Sequence, residues 1–87
     1  MNYIEKIRDR LAKEIDVEED LLDLYTLLAF VKKGDCTLED VHDAWAIWRN
    51  KTNPAHKSLI PFKELNPKVQ ELDQEYTNAI IKVATHQ

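Results

Sequence analysis

The sequence contains little of the residues that build tight loops, disulfides or phosphate-binding turns. Its 87 residues include one glycine, three prolines and one cysteine. A single glycine excludes the Gly-rich loops that hold phosphates, and a single cysteine excludes an intrachain disulfide and a cysteine metal site. No apolar run approaches the roughly 20 residues that span a bilayer. We therefore expect residues 1–87 to form a single domain, without a membrane span, a metal or another cofactor.

The charge balance argues against a nucleic-acid partner. The formal net charge is −4 and the pI is about 5.3, whereas a protein that binds a duplex needs a stripe of Lys and Arg. The best basic group, within residues 6–13, has Asp and Glu interleaved with it, so we interpret it as a solvated helix face. Met1 leads directly into a charged amphipathic pattern without a secretory signal. We expect a cytoplasmic protein.

Hydrophobic periodicity is helical along nearly the whole chain and predicts an all-α fold, a compact four-helix domain. The first helix is predicted at 2–14 and the second at 18–33, with Gly34 as its left-handed stop. Together they form an N-terminal helix pair within residues 1–35. The second helix is apolar nearly all round, which is typical of a helix central in a bundle or buried against another subunit. Both alternatives stay open.

The second half of the chain is predicted to hold two more helices joined by a packed connector. Thr37 is the predicted N-cap of a helix at 38–50, with a capping box to the residue three positions later. The connector at 54–65 contains proline and is too apolar for a free loop, so we expect it to lie across the bundle. Asn66 and Pro67 suit the N-cap and first position of the last helix. The predicted inward stripe of that helix is Val69, Leu72, Tyr76, Ile80 and Val83.

A candidate site follows from the spacing of side chains on the third helix. At 100° per residue, the core-facing arc is predicted to consist of Leu38, Val41, Trp45 and Trp48. His42 and Arg49 fall on its rim, on either side of Trp45. An indole face with two flanking donors suits a planar, anionic ligand. We interpret Trp48 as core, whereas for Trp45 core and ligand contact both stay open. For Arg49 alone, a helix-dipole or ion-pair role is the alternative.

Asp73 falls at the border of the last helix's apolar face. A carboxylate there needs a partner, because burying an unpaired charge is costly. Arg49 or His42 is the natural partner, with His56 as an alternative. An ion pair between helices and a role in a pocket both remain open.

The sequence offers no arrangement typical of catalysis. Ser58 lacks the context of a nucleophile elbow, and Cys36 has no histidine at a helpful predicted position. The three histidines lack metal-ligand spacing. We predict that the protein is not an enzyme.

Three segments resemble, in the right order, the ryanodine-receptor repeat (RyR) domain. VHDAWAIWR at 41–49, HKSLIPFKEL at 56–65 and ELDQEY at 71–76 are similar to that family's VHDxWAxxR, HPxLVPYxxL and EYDR-containing segments. The RyR-like portion is residues 37–83. The departures are Lys57, Leu72 and Gln74, where the family has Pro, Tyr and Arg, and a short NKTNPA segment between the first two motifs.

The resemblance implies a helical module that binds nucleotide-like small molecules without catalysis. It also implies a phage protein that sequesters a host immune signal in the host cytoplasm. The implied ligand contacts are His42, Trp45, Arg49, His56, Pro61 and Asp73. In this hypothesis the ligand ring stacks on Trp45, Arg49 and His56 contact phosphate, His42 adds a polar contact, and Asp73 orients Arg49. The alternatives are a module that binds a host protein and a structural homo-oligomer; we expect self-association in addition to ligand binding.

Overall fold

Four fully buried side chains, one from each of four helices, mark the centre of the protein. They are Leu11, Tyr25, Val41 and Ile80 in the computed structural model, which describes residues 1–86. Their helices are α1 (Tyr3–Glu14), α2 (Glu19–Val31), α3 (Leu38–Thr52) and α5 (Gln74–Thr85), and a short helix α4 (Pro67–Glu71) leads into α5. The predicted all-α fold is confirmed, with the last helix interrupted after its first turn. Within residues 1–86, no helix is both long and apolar enough to cross a membrane.

The starts of α3 and α4 follow the capping signals in the sequence. The Thr37 Oγ1 atom accepts a hydrogen bond from the Asp40 amide at 3.1 Å, and the Asp40 carboxylate accepts one from the Thr37 amide at 3.0 Å. This reciprocal pair is the predicted capping box. The Asn66 side chain accepts a hydrogen bond from the Val69 amide at 3.1 Å, and Pro67 is the first residue of α4.

The end of α2 differs from the prediction, which placed a left-handed residue at Gly34. The helix ends at Val31 and is followed by a 3-10 turn over Lys33–Asp35. The left-handed residue is Lys33, with φ of 51°, and Gly34 does not have a positive φ. A Cβ atom at Gly34 would lie 3.3 Å from Cγ2 of Thr85. A larger residue here would require Thr85 to shift by a few tenths of an ångström, so glycine eases the close approach to the C-terminal end of α5 and is not used for a positive φ.

The interruption between α4 and α5 changes which side chains face the core. Ile80 and Val83 are buried as predicted, with exposed fractions of 0% and 5%. Leu72, predicted to face inward with them, is 68% exposed. It lies at the interruption, beyond the end of α4 and before the start of α5, so the single helical phase assumed from the sequence does not apply to it.

A buried histidine attaches the connector to α3. His42 is only 3% exposed, and its Nε2 atom donates a hydrogen bond to the Ile60 carbonyl oxygen at 2.8 Å. Since a carbonyl oxygen only accepts, Nε2 carries a proton. The imidazole also packs against Trp45 and Phe62, at centroid separations of 5.6 and 6.1 Å. His42 was predicted to lie on the rim of the core-facing arc, but it is enclosed because the connector folds over it.

The far end of the connector is attached to α4. The side-chain amide of Gln70 donates hydrogen bonds to the carbonyl oxygens of Phe62 and Leu65, at 3.0 and 3.1 Å. Leu65 itself is buried. The connector is therefore a packed part of the domain, as its apolar composition predicted.

We predict that His42→Ala lowers the free energy of unfolding by roughly 1–3 kcal/mol, because the Ile60 carbonyl loses its donor in a partly buried position. Urea denaturation followed by circular dichroism measures this loss. The matched control is His42→Gln, whose side-chain amide donates from a position similar to Nε2 and should retain much of the stability. An alanine variant as stable as the natural protein would contradict the assigned role of the hydrogen bond.

Candidate functional site

A cavity of about 540 Å³ lies between α2, α3, the connector and the α4–α5 segment. Ligand pockets typically have volumes of roughly 300–1,000 Å³. Rings form much of its wall: Tyr25, His42, Trp45, Trp48, His56 and Tyr76. The cavity therefore offers flat apolar surfaces interrupted by polar groups, which is the usual composition of a small-molecule site.

Five of the six ligand contacts expected from the sequence line this one cavity: His42, Trp45, Arg49, His56 and Asp73. Pro61 is exposed and lies outside it, lining a second hollow of about 360 Å³. The structure thus brings together residues from α3, the connector and the α4–α5 junction. It separates them from Pro61.

Arg49 presents a guanidinium that has no carboxylate partner among residues 1–86. Its Cζ atom lies 4.4 Å from the centroid of the Trp48 ring and 5.9 Å from that of Trp45, so the group is held by cation–π contacts. Nη1 donates a long hydrogen bond of 3.4 Å to Thr52 Oγ1. The Nε atom is buried and has no acceptor within residues 1–86. Leaving such a donor unpaired costs about 1–3 kcal/mol.

The expected pair between Arg49 and Asp73 does not form. Within residues 1–86, no carboxylate oxygen lies within 4.0 Å of the Arg49 guanidinium. The guanidinium is instead held on the indoles of α3, and Asp73 belongs to the α4–α5 junction. The two charged groups therefore face the same cavity as separate groups.

The Asp73 carboxylate is half-buried and accepts no hydrogen bond from the described residues. Burial raises its pKa above the ordinary value, and the nearby His42 opposes this rise. The ionised Asp73 carboxylate is therefore poorly solvated in this position. A ligand with N–H donors would stabilise it.

Tyr25 brings an unpaired hydroxyl to the same cavity. Its side chain is 1% exposed, yet the hydroxyl has no hydrogen-bond partner within residues 1–86. Burial raises the pKa of this phenol, and the negative charge of Asp73 raises it further. The hydroxyl therefore stays protonated, and it is available as a donor.

His56 contributes a donor from the connector. Its Nδ1 atom accepts a hydrogen bond from the Ser58 amide at 3.0 Å, so the neutral ring carries its proton on Nε2. That Nε2–H has no acceptor within the described part of the chain. The ring meets Trp45 edge-on, at a centroid separation of 5.1 Å.

Trp45 is less open to a ligand than the sequence suggested. His42 stacks against its ring at an interplanar angle of 28°, His56 touches it edge-on, and Arg49 lies over it. The indole is half-buried, so only part of its surface remains accessible. Trp45 thus positions the three polar side chains in addition to offering a ligand surface.

Trp48, interpreted as core from the sequence, forms part of the cavity wall. Its Nε1–H donates to Glu18 Oε2 at 2.8 Å, and the same oxygen accepts the Asp20 amide at the start of α2. This bond joins α3 to α2 and fixes the indole on which Arg49 lies. Sequence reasoning missed this arrangement, since nothing in the local pattern relates Trp48 to Glu18.

Sequence reasoning also missed Tyr25 and Tyr76 as site residues. Tyr76 was placed in the inward stripe of the last helix, and Tyr25 lies in the second helix, which was predicted to be apolar nearly all round. The two rings do pack on each other, with centroids 5.7 Å apart. The available signal was the hydroxyl of Tyr25, since a tyrosine buried at the centre of a helix normally finds a hydrogen-bond partner.

These features define an all-α domain with a mixed aromatic and polar cavity between its helices. The chain belongs to the family described as Domain of unknown function (DUF7701), whose profile matches residues 1–85. No curated protein and no solved structure matches the chain.

The assignment to the RyR domain family is therefore wrong. The matched family covers α1 and α2 as well, which the three RyR-like segments leave unexplained. The three segments describe only local structure, a helix with Trp and Arg followed by a proline-containing connector. The expectations of a phage origin and of immune evasion depended on that resemblance and are withdrawn with it.

We predict that Asp73→Asn raises the melting temperature at pH 7 and leaves it nearly unchanged at pH 3. The folded-state pKa of Asp73 is raised above an unfolded value of about 3.9. The ionised carboxylate therefore disfavours the fold above the raised pKa, and this penalty disappears below the unfolded value, where both states are protonated. Thermal melts of both proteins from pH 3 to pH 8 measure the difference.

The matched control for this experiment is Asp43→Asn, which removes an exposed carboxylate from α3. This substitution should change the melting temperature little between pH 3 and pH 8. A destabilised Asp73→Asn protein at pH 7 would show that the carboxylate has a stabilising partner, contrary to the geometry described above.

Proposed function

We propose that the protein is a non-enzymatic binder of a small planar anion of the nucleotide class, held in the cavity described above. The observation that carries this proposal is the guanidinium of Arg49. It lines the cavity, is immobilised on Trp48, and has no carboxylate partner in the described residues. A ligand that supplies acceptor oxygens would complete it.

Phosphate is the anionic group that suits this position best. A guanidinium forms paired hydrogen bonds with phosphate oxygens through its planar fork of donors. The unpaired Nε2–H of His56 lines the same cavity and offers a further donor. Both side chains contact Trp45, which keeps them on the same part of the wall.

The ring of the ligand has space between the helices. His42 and Arg49 are seven positions apart on α3, which corresponds to roughly 10 Å along the helix axis. Trp45 lies between them on the helix, and Tyr76 lines the cavity from α5. A nucleoside monophosphate has its base and its phosphate at opposite ends of a comparable length.

The side-chain chemistry supports binding rather than catalysis. The Nδ1 atom of His56 is engaged by a backbone amide instead of a nucleophilic hydroxyl. Cys36 is buried, and burial raises the pKa of its thiol to about 11, which suppresses the reactive thiolate. The groups facing the cavity thus suit recognition of a ligand.

The test is a thermal-shift and calorimetric titration with the four common nucleoside 5′-monophosphates. At a free nucleotide concentration ten times the Kd, binding adds about 1.4 kcal/mol of stability, which corresponds to a melting-temperature rise of several degrees for a domain of this size. Arg49→Ala should weaken binding by about tenfold or more, because a charge-assisted paired contact is lost. The affinity of the Arg49→Lys protein should lie between those of the natural protein and Arg49→Ala, because lysine keeps the positive charge but not the planar set of donors.

Lys51→Ala is the control, because Lys51 is exposed on the same helix and does not line the cavity. Its affinity should match that of the natural protein. Absence of any stabilisation by the four nucleotides, or an Arg49→Ala protein that binds as well as the natural one, would contradict the proposal.

Self-association through α2 is a second candidate, favoured by the outer face of that helix. Leu27 and Val31 are 54% and 63% exposed one turn apart, with Leu24 and Leu28 half-buried beside them. Exposed apolar surface of this kind marks interaction sites. Light scattering over a range of protein concentrations should give a dimer mass, and a monomer mass at every concentration would contradict this.

A further inference from the structure

On the α2 and α4–α5 sides, the cavity wall carries two polar groups that no described residue satisfies. One is the hydroxyl of Tyr25 on α2, and the other is the carboxylate of Asp73 at the α4–α5 junction. Asp73 is three positions before Tyr76, whose ring packs on that of Tyr25 at a centroid separation of 5.7 Å. The Trp48–Glu18 hydrogen bond joins the start of α2 to the end of α3, and the Lys32–Asp40 ion pair joins the end of α2 to the start of α3. Tyr25, in the middle of α2, therefore lies nearer to the level of His42 on α3 than to that of Arg49.

The position of Asp73 leaves its carboxylate available. It is the residue immediately before α5, where an aspartate often caps the helix. Its side chain makes no capping hydrogen bond here. The carboxylate lines the cavity instead.

The other two carboxylates on the wall are less suited to bind a ligand there. Glu18 is engaged by the Trp48 indole and by the first amides of α2. Glu75 is exposed to solvent. Asp73 thus combines partial burial with unused acceptor capacity, and its two oxygens need adjacent N–H donors.

We propose that Tyr25 and Asp73 select a guanine base, an inference that rests on the nucleotide-binding function proposed above. The edge of guanine presents the O6 acceptor, the N1–H donor and the 2-amino donor in a row. The Tyr25 hydroxyl donates to O6, and the Asp73 oxygens accept from N1–H and the 2-amino group. No other common base presents one acceptor followed by two donors.

The competing bases place an acceptor where guanine has a donor. Adenine and cytosine turn a ring nitrogen lone pair toward the carboxylate, and uracil flanks its single N–H with two carbonyl oxygens. An acceptor-only carboxylate repels these groups. A site whose polar groups are left unpaired by the wrong ligand discriminates strongly.

A base bound near Tyr25 is compatible with a phosphate bound near Arg49. Tyr25 lies opposite the first half of α3, and Arg49 lies roughly 10 Å beyond His42 along that helix. A guanosine 5′-monophosphate in this orientation would engage both groups of unpaired side chains at once. The ring would lie between them, beside Trp45 and Tyr76.

The test compares the 5′-monophosphates of guanosine, inosine, xanthosine and adenosine by isothermal titration calorimetry. The guanosine nucleotide should bind tightest, by about tenfold or more over the adenosine nucleotide. Inosine, which lacks only the 2-amino group, should fall between. Asp73→Asn should reverse the order of guanosine and xanthosine, because an amide pairs one donor and one acceptor with the N1–H and O2 of xanthine. Tyr25→Phe should weaken guanosine binding without loss of helicity, since the hydroxyl bonds to no described residue.

Asp43→Asn, which removes an exposed carboxylate outside this cavity, should leave the order of affinities unchanged. Equal binding of all four nucleotides overturns the guanine inference while leaving the proposed function standing. Failure of all four to bind overturns both. An Asp73→Asn protein that keeps its preference for guanosine also overturns the inference.

Discussion

The rest of the candidate site depends on the hydrogen bond between the His42 imidazole and the Ile60 carbonyl. This 2.8 Å contact fixes the connector across α3 and encloses a histidine that would otherwise be open to solvent. With the connector in place, His56 meets the edge of Trp45 and becomes part of the cavity wall. A single buried donor thus makes an apolar segment between two helices into one wall of the cavity. The side-chain amide of Gln70 fastens the other end of the same segment.

The cavity concentrates polar groups that do not satisfy one another. The buried Nε–H of Arg49 lacks an acceptor, the Asp73 carboxylate lacks donors, and the Tyr25 hydroxyl has no partner among residues 1–86. Each such group opposes folding, because buried polar groups are normally hydrogen-bonded. Unsatisfied polar groups around a single cavity are expected where a ligand-binding site forms at a cost in folding stability. Elsewhere, the described residues form an ordinary apolar core centred on Leu11 and Ile80.

Local signals in the sequence were sufficient to predict the helices. They were not sufficient to predict the contacts between helices. The capping box at Thr37 and the start of α4 at Pro67 depend only on neighbouring residues, and both were predicted correctly. The burial of His42 depends on a carbonyl 18 residues away, and the helical wheel placed it on the rim. Arg49 was one of the partners expected for Asp73, because a carboxylate at the border of an apolar face needs one, but Arg49 lies on Trp48 instead. The RyR resemblance failed for a related reason, since short motifs describe local structure and the family profile spans residues 1–85.

The most direct test of the binding site is a titration with guanosine 5′-monophosphate followed by nitrogen–proton NMR of the arginine Nε–H and tryptophan Nε1–H groups. The chain has three arginines, and Arg8 and Arg10 lie on α1, outside the cavity. We predict that the signals of Arg49 and Trp45 shift together and saturate at one equivalent of nucleotide. The Arg49 Nε–H signal should move downfield as it gains an acceptor, whereas the signals of Arg8 and Arg10 should stay unchanged. Shifts that are absent, or equal in all three arginines, would contradict it.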